Sequence, residues 1–210
     1  MDDLSQIHTI TSESALRALY PPVSQLARIK ELDHLDRYAR TFIAASPFAC
    51  LGTARADGAA DVSPRGDAPG FVKVVDERTL ALPDRPGNNR LDSLANIVAN
   101  PNVGLMFLIP GIAEILRVNG QARITRDPAL LASFVVNGKL PTAAIVIAVR
   151  QVFLHCSKAI HRGRLWDDGA KVDRKLLPPL GHMIVEQTKA AIDPEQAEAM
   201  VQESLRTRLY

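Results

Sequence analysis

Three arginines stand where a chain could build an anion site. Arg65 follows Ser63-Pro64 at the end of a strand-like run, and Arg85 and Arg90 bracket Gly87-Asn88-Asn89 just before a helix-like run. Each alone is explained as well by a solvated surface. Grouped at one end of adjacent elements, with hydroxyl and amide donors beside them, they match the demand of a phosphate monoester. Such a group carries about −1.5 to −2 charge near neutral pH. A helix start adds free N–H groups and a partial positive charge.

Phosphate contacts alone would not hold a ligand tightly. Charged hydrogen bonds are worth roughly 1.5–3 kcal/mol each, and association costs about 4–15 kcal/mol. Three such bonds roughly cancel that cost, so the ligand must also bury a large ring. A flavin nucleotide meets this better than free phosphate. A second cluster, Phe153 to Trp166, places Ser157 and Lys158 just past a strand end and holds the sole Trp of the chain. A structural Trp beside a solvated Lys, and a ligand-facing pair, are equally good readings of it.

Other chemistries find no pattern. His155 and His161 are six apart, which does not align them on a helix face for a metal. No Cys-x-x-Cys, His-Glu-x-x-His or paired-carboxylate string is present. The dinucleotide fingerprint and the phosphate-loop glycine string are absent. Arg65-Gly66-Asp67 matches an adhesion tripeptide, expected to be a coincidence because the acidic, polar Met1-Asp2-Asp3-Leu4 does not read as a secretory signal.

Composition sets the remaining bounds. The 210 residues are 47% hydrophobic and 23% charged, enough for a globular core. With 25 Lys+Arg against 23 Asp+Glu, the net charge of +2 argues against nucleic acid and anionic membrane as partners. The longest uncharged apolar run, Val103 to Ala113, is broken by Pro110 and falls short of the roughly 18 residues of a membrane helix. Cys50 and Cys156 lie in apolar strand-like surroundings and are expected as two buried, reduced thiols. A cytoplasmic location is the expectation.

The elements that must position the arginines read as a single domain over 1–210, mainly β with flanking helices. Residues 1–46 form a helical N-terminal extension, with helices over 12–20, after Pro21-Pro22, and from about Asp33 to near Pro47. The last has Leu35, Tyr38, Ala39, Phe42 and Ile43 on one face. Strands are expected at 48–54, 60–63, 71–75, 79–82, 103–109 and 115–125, with a last strand or pair over 143–149 and 152–156. Asn88 or Asn89 can cap a helix with Leu91, Leu94, Ile97 and Val98 as its apolar stripe. Asp127-Pro128 opens another through about Val136. The prediction is a six-stranded antiparallel split or closed β-barrel, with a helical appendage over 178–210 whose last helix opens at Asp193-Pro194.

At this point the chain resembles the pyridoxamine 5′-phosphate oxidase-like FMN-binding split-barrel superfamily, and more narrowly its oxidase-related subgroup of unassigned substrate. The likeness runs from about Tyr38 to Trp166. It rests on Asp61-Val62-Ser63-Pro64-Arg65-Gly66-Asp67, on Asp84 to Arg90 leading into Leu94-Ile97-Asn100-Pro101, and on His155 to Ala159 with Leu165-Trp166. The resemblance implies a homodimer with two FMN molecules at its interface. Val62, Ser63, Pro64 and Arg65 would run along the ring and ribityl chain, and Pro83 and Asp84 would flank the ring. Asn89 and Arg90 would take the phosphate, with Arg85 and Asn88 nearby. Arg117, Ser157 and Lys158 would come from the other subunit, and Trp166 would border the substrate side. The C-terminal Arg-x-His element by which true pyridoxamine phosphate oxidases grip their substrate has no match here, so vitamin B6 oxidation is not expected. No general acid or base stands out, which suits a reaction carried by the flavin. The expectation is an FMN-dependent oxidoreductase acting by hydride transfer on a small molecule. The rival readings are a flavin carrier or sensor, and a split barrel for deazaflavin or for haem with His155 or His161 as axial ligand.

Overall fold

A computed structural model describes residues 9–210. The chain divides into two compact units at Glu31/Leu32. In the first, Ser12 caps α1 (Glu13–Ala18) and Ser24 caps α2 (Gln25–Ile29), each hydroxyl accepting an N–H of the first turn at 3.2 and 3.3 Å. Neither helix buries a residue.

The second unit begins with α3 (Arg37–Ala45), whose Asp36 cap accepts from the Ala39 N–H at 2.8 Å. Ala39, Phe42 and Ile43 face inward. Tyr38, expected with them, is exposed and lies under the Arg37 guanidinium instead. Seven strands follow rather than six: β1 (Phe48–Ala54), β2 (Ala60–Gly66), β3 (Lys73–Val74), β4 (Thr79–Asp84), β5 (Asn102–Leu108), β6 (Ile115–Thr125) and β7 (Ala143–His155). They form one antiparallel sheet in the order β2-β1-β5-β6-β7-β4-β3.

The long β7 explains why the sequence there reads as either one strand or two. Its register against β6 slips between Asn119 and Gly120, so Arg150 is an extra residue and the alternation inverts around it. Gly120 is required at this bulge, because a Cβ there would lie 2.3 Å from the Ala148 carbonyl oxygen. The bend lets the first half of β7 serve β4 as well as β6.

The two ends of the ladder, β2 and β3, are not hydrogen-bonded to each other. The sheet nevertheless curls, because Arg65 on β2 reaches Asp84 on β4 at 3.3 Å. A side-chain seam therefore stands where a closed barrel would have a backbone ladder. The curl encloses one apolar core that includes Leu51, Leu80, Leu82, Phe107, Val118 and Ile145 and is covered by Phe42 and Ile43 of α3. Helix α4 (Asp92–Ala99) contributes Ile97 to it.

Helix α5 (Pro128–Ala132) ends short of the expected Val136. Asn137 and Gly138 both take positive φ, 52° and 74°, and Val136 pairs with Lys139. That is the two-residue hairpin turn favoured by Asn-Gly. Beyond β7 come α6 (Lys158–Gly163), α7 (Leu180–Thr188) and α8 (Pro194–Thr207). The last two pack so closely that a Cβ on Gly181 would meet the Glu198 backbone at 2.3 Å. Both cysteines are free, but Cys50 is half-buried and Cys156 exposed, contrary to the expected burial. Cys50 lies on the opposite face of β1 from Ala49 and Leu51, and Cys156 lies just beyond β7. Among the described residues, no helix is long and apolar enough to cross a membrane, and no group of three or more His, Cys, Asp or Glu could hold a metal ion.

Candidate functional site

The seam between β2 and β4 opens into a cavity of about 720 Å³. That is within the roughly 300–1,000 Å³ of small-molecule sites. Val62, Ser63, Pro64 and Arg65 of β2 form one wall, and Pro83, Asp84 and Arg85 the other. Asn88, Asn89 and Arg90 close one end with the first turn of α4. These ten predicted residues, scattered over two sequence stretches, thus share one cavity.

Strand alternation explains the β2 wall. Val62 and Pro64 are exposed, while Ser63 and Arg65 are turned inward and half-buried. The inward residues form a directed hydrogen-bond chain. Arg65 Nε donates to Ser63 Oγ at 3.2 Å. Ser63 Oγ and Ser93 Oγ lie 2.9 Å apart, and Ser93 Oγ lies 3.0 Å from Asp61 Oδ2. A hydroxyl has one proton and a carboxylate only accepts. Ser93 therefore donates to Asp61 and receives from Ser63, and every group in the chain is satisfied.

The loop into α4 is shaped by backbone geometry. Asn88 Oδ1 accepts the Arg90 N–H at 3.0 Å, while Asn89 and Leu91 take left-handed φ of 59° and 60°. The N-cap is Leu91, which offers no side-chain bond, so neither Asn88 nor Asn89 caps the helix as expected. Nor is the expected stripe the buried one: Leu91 and Val98 are exposed, and Ser93, Asn96 and Ile97 face inward. Asn96 is held by donating to Thr53 Oγ1 at 3.0 Å. Among the described residues, no protein acceptor meets the N–H groups of Asp92, Ser93 or Leu94. Uncapped, these donors and the positive helix end suit an anion. Beside them, Arg90 Nε donates to Asp92 Oδ2 at 2.7 Å. That hydrogen bond, with the Asp92 charge, holds the Arg90 pKa above its usual value.

Arg85 is differently placed. Its Nε donates to Asp67 Oδ2 at 2.8 Å and its Nη1 to the Phe134 carbonyl at 3.0 Å. The Tyr210 ring lies 5.2 Å from the guanidinium, and the Tyr210 hydroxyl donates to Asp67 Oδ1 at 2.7 Å. Burial raises the Asp67 pKa, but the Tyr210 hydroxyl, the Ala68 N–H and Arg85 outweigh it, leaving the carboxyl below its ordinary value. Reasoning from sequence missed Asp67 and Tyr210 as neighbours of this cavity. Asp67 lay inside the string already singled out, whereas nothing in sequence marks Tyr210.

The other predicted residues do not line this cavity in the single chain. Arg117 on β6 stacks on its cross-strand partner Phe153 at 4.9 Å. Ser157 is the N-cap residue of α6 without a side-chain bond, and Lys158 is exposed. Trp166 Nε1 donates to the Ile112 carbonyl at 2.8 Å, which anchors a loop.

The family model described as pyridoxamine 5′-phosphate oxidase matches residues 35–156, and the chain belongs to that family. The match spans α3 to the end of β7 and includes both cavity walls. Among solved structures, HupZ of Group A Streptococcus is 18% identical over 57% of this chain and 92% of its own, with a TM-score of 0.47. General Stress Protein 26 of Bacillus anthracis is 19% identical over 54% and 88%, with a TM-score of 0.43. HutZ, the heme storage protein of Vibrio cholerae, is 12% identical over 57% and 94%, with a TM-score of 0.40. No curated protein matches.

Proposed function

We propose that this protein binds FMN in the seam cavity and works as an FMN-dependent oxidoreductase on a small organic substrate. The observation that carries the reading is the convergence of both arginine-bearing stretches on one cavity with an uncapped helix start at its end. The donor set fits FMN. Arg90 and the free N–H groups of α4 suit the phosphate, Ser63 and Arg65 suit ribityl and ring polar atoms, and Val62, Pro64 and Pro83 offer apolar contact. When bound, FMN supplies the centre that gives or takes a hydride.

The chain's own residues bind and orient. The Arg90 side chain is 72% exposed, and its pair with Asp92 is a surface pair that water screens. A phosphate of higher charge displaces Asp92 from it at little cost. Arg65, with its side chain 18% exposed and tied to Ser63 and Asp84, stays put and fixes the β2 wall. In this reading the protein is a homodimer, and Arg117, Ser157, Lys158 and Trp166 complete the site from the partner subunit.

Mass spectrometry of the ligand carried through purification, with the absorption spectrum, tests the proposal. FMN and flavin bands are expected, followed by bleaching with a reduced nicotinamide donor. A colourless protein that takes up no added FMN overturns the reading. A Soret band also overturns it, and would be unexpected because among the described residues no histidine lines the cavity. Flavin bound without turnover across a donor screen would leave a carrier and remove the enzyme.

A further inference from the structure

We infer that Tyr210 is a positioning residue for the cavity: by donating to Asp67 it fixes Arg85 so that the outer edge of the guanidinium faces the phosphate end of the ligand. The inference rests on the flavin nucleotide reading above.

Asp67 has a side chain only 3% exposed, and a buried carboxylate is tolerated only when its lone pairs are filled. Three donors engage both oxygens: the Tyr210 hydroxyl at 2.7 Å and the Ala68 N–H at 2.7 Å on Oδ1, and Arg85 Nε at 2.8 Å on Oδ2. The Tyr210 donor comes from 143 residues away in sequence. Tyr210 is itself held, its main-chain oxygen accepting from Lys139 Nζ at 2.8 Å. Lys139 follows the Asn137-Gly138 turn, and Phe134, just before that turn, accepts from Arg85.

Arg85 thus has two of its N–H donors committed and one face against the Tyr210 ring. A guanidinium has five donors in a rigid plane, so fixing two fixes the direction of the other three. Arg85 also lines the cavity, on the side that leads into the Asn88–Arg90 loop. The arrangement orients a cation in advance and does so through the end of the helical tail. Coupling of this kind is reciprocal, so ligand binding also tightens the tail.

The test compares FMN with riboflavin, which lacks the phosphate, by flavin fluorescence titration of wild type, Tyr210→Phe and Tyr210→Ala. Tyr210→Phe keeps the ring and removes the hydroxyl. It is expected to weaken FMN binding about threefold to tenfold, a fraction of one charged hydrogen bond, and to leave riboflavin unchanged. Tyr210→Ala is expected to enlarge the FMN-selective loss. Bound FMN is also expected to slow amide exchange in 194–210. Equal losses for both compounds in Tyr210→Phe, or no loss, overturn the inference and leave the flavin reading intact. Wild-type protein that binds neither compound overturns both.

Discussion

Two aspartate–arginine pairs border the same cavity and behave as different materials. In Asp67–Arg85 the side chains are 3% and 17% exposed, and two distant residues, Phe134 and Tyr210, contribute a bond or a ring. In Asp92–Arg90 they are 50% and 72% exposed, and the pair lies within one loop and helix start. The chemistry is the same and the N···O distances are 2.8 and 2.7 Å. Burial makes the difference: a partner lost from a buried pair leaves an uncompensated charge, whereas water repairs the exposed pair. A site that must be both shaped and open uses the first kind as frame and the second as handle.

The contrast breaks most visibly at Asp67. Asp67→Ala is expected to cost about 3–5 kcal/mol of stability by chemical denaturation, because it strands Arg85; a loss under about 1 kcal/mol would put both pairs in one class. Acid probes the same carboxyl. Its folded pKa is depressed, so its contribution is present at neutral pH and is lost as pH falls below the ordinary value of 3.8 through the folded value. Asp67→Asn is expected to flatten that acid limb. At the other pair, Arg90→Ala should weaken FMN binding by about 1.5–3 kcal/mol while the unfolding midpoint hardly moves. Unchanged affinity would mean the phosphate lies elsewhere. The smallest effect is expected at Leu91, whose left-handed backbone is unfavourable for a residue with a Cβ. Leu91→Gly should raise the chemical-denaturation midpoint slightly, a gain of up to about 1 kcal/mol, since it relieves roughly 1–2 kcal/mol of left-handed cost and adds back roughly 0.5–1 kcal/mol of glycine freedom.

Much of this was legible in the sequence because it depends on local pattern. Period-two alternation marks β6, Asp-Pro marks the starts of α5 and α8, and the two arginine strings fall on the two walls that the seam brings together. Each of the seven strands falls on a run that the sequence marks, so the total of six undercounts them; the run 71–75 yields only the two-residue β3, paired with β4 alone. The start of α4 misled because Asn88 spends its side chain on the Arg90 N–H, a turn bond that competes with capping. Asn137-Gly138 is a hairpin signal that the sequence reading leaves unused, so the expected helix runs on to Val136, where the hairpin already begins. The Tyr210 contact rests on tertiary placement alone, which no short-range pattern encodes.

Pro64 gives β2 a property that bears on assembly. It sits opposite Cys50 in the outermost strand, paired on one side only. Proline has no N–H, so along its free side β2 cannot present an unbroken row of donors to a strand from another molecule. That guards this edge against strand-by-strand stacking, while Val62 and Pro64 stay exposed.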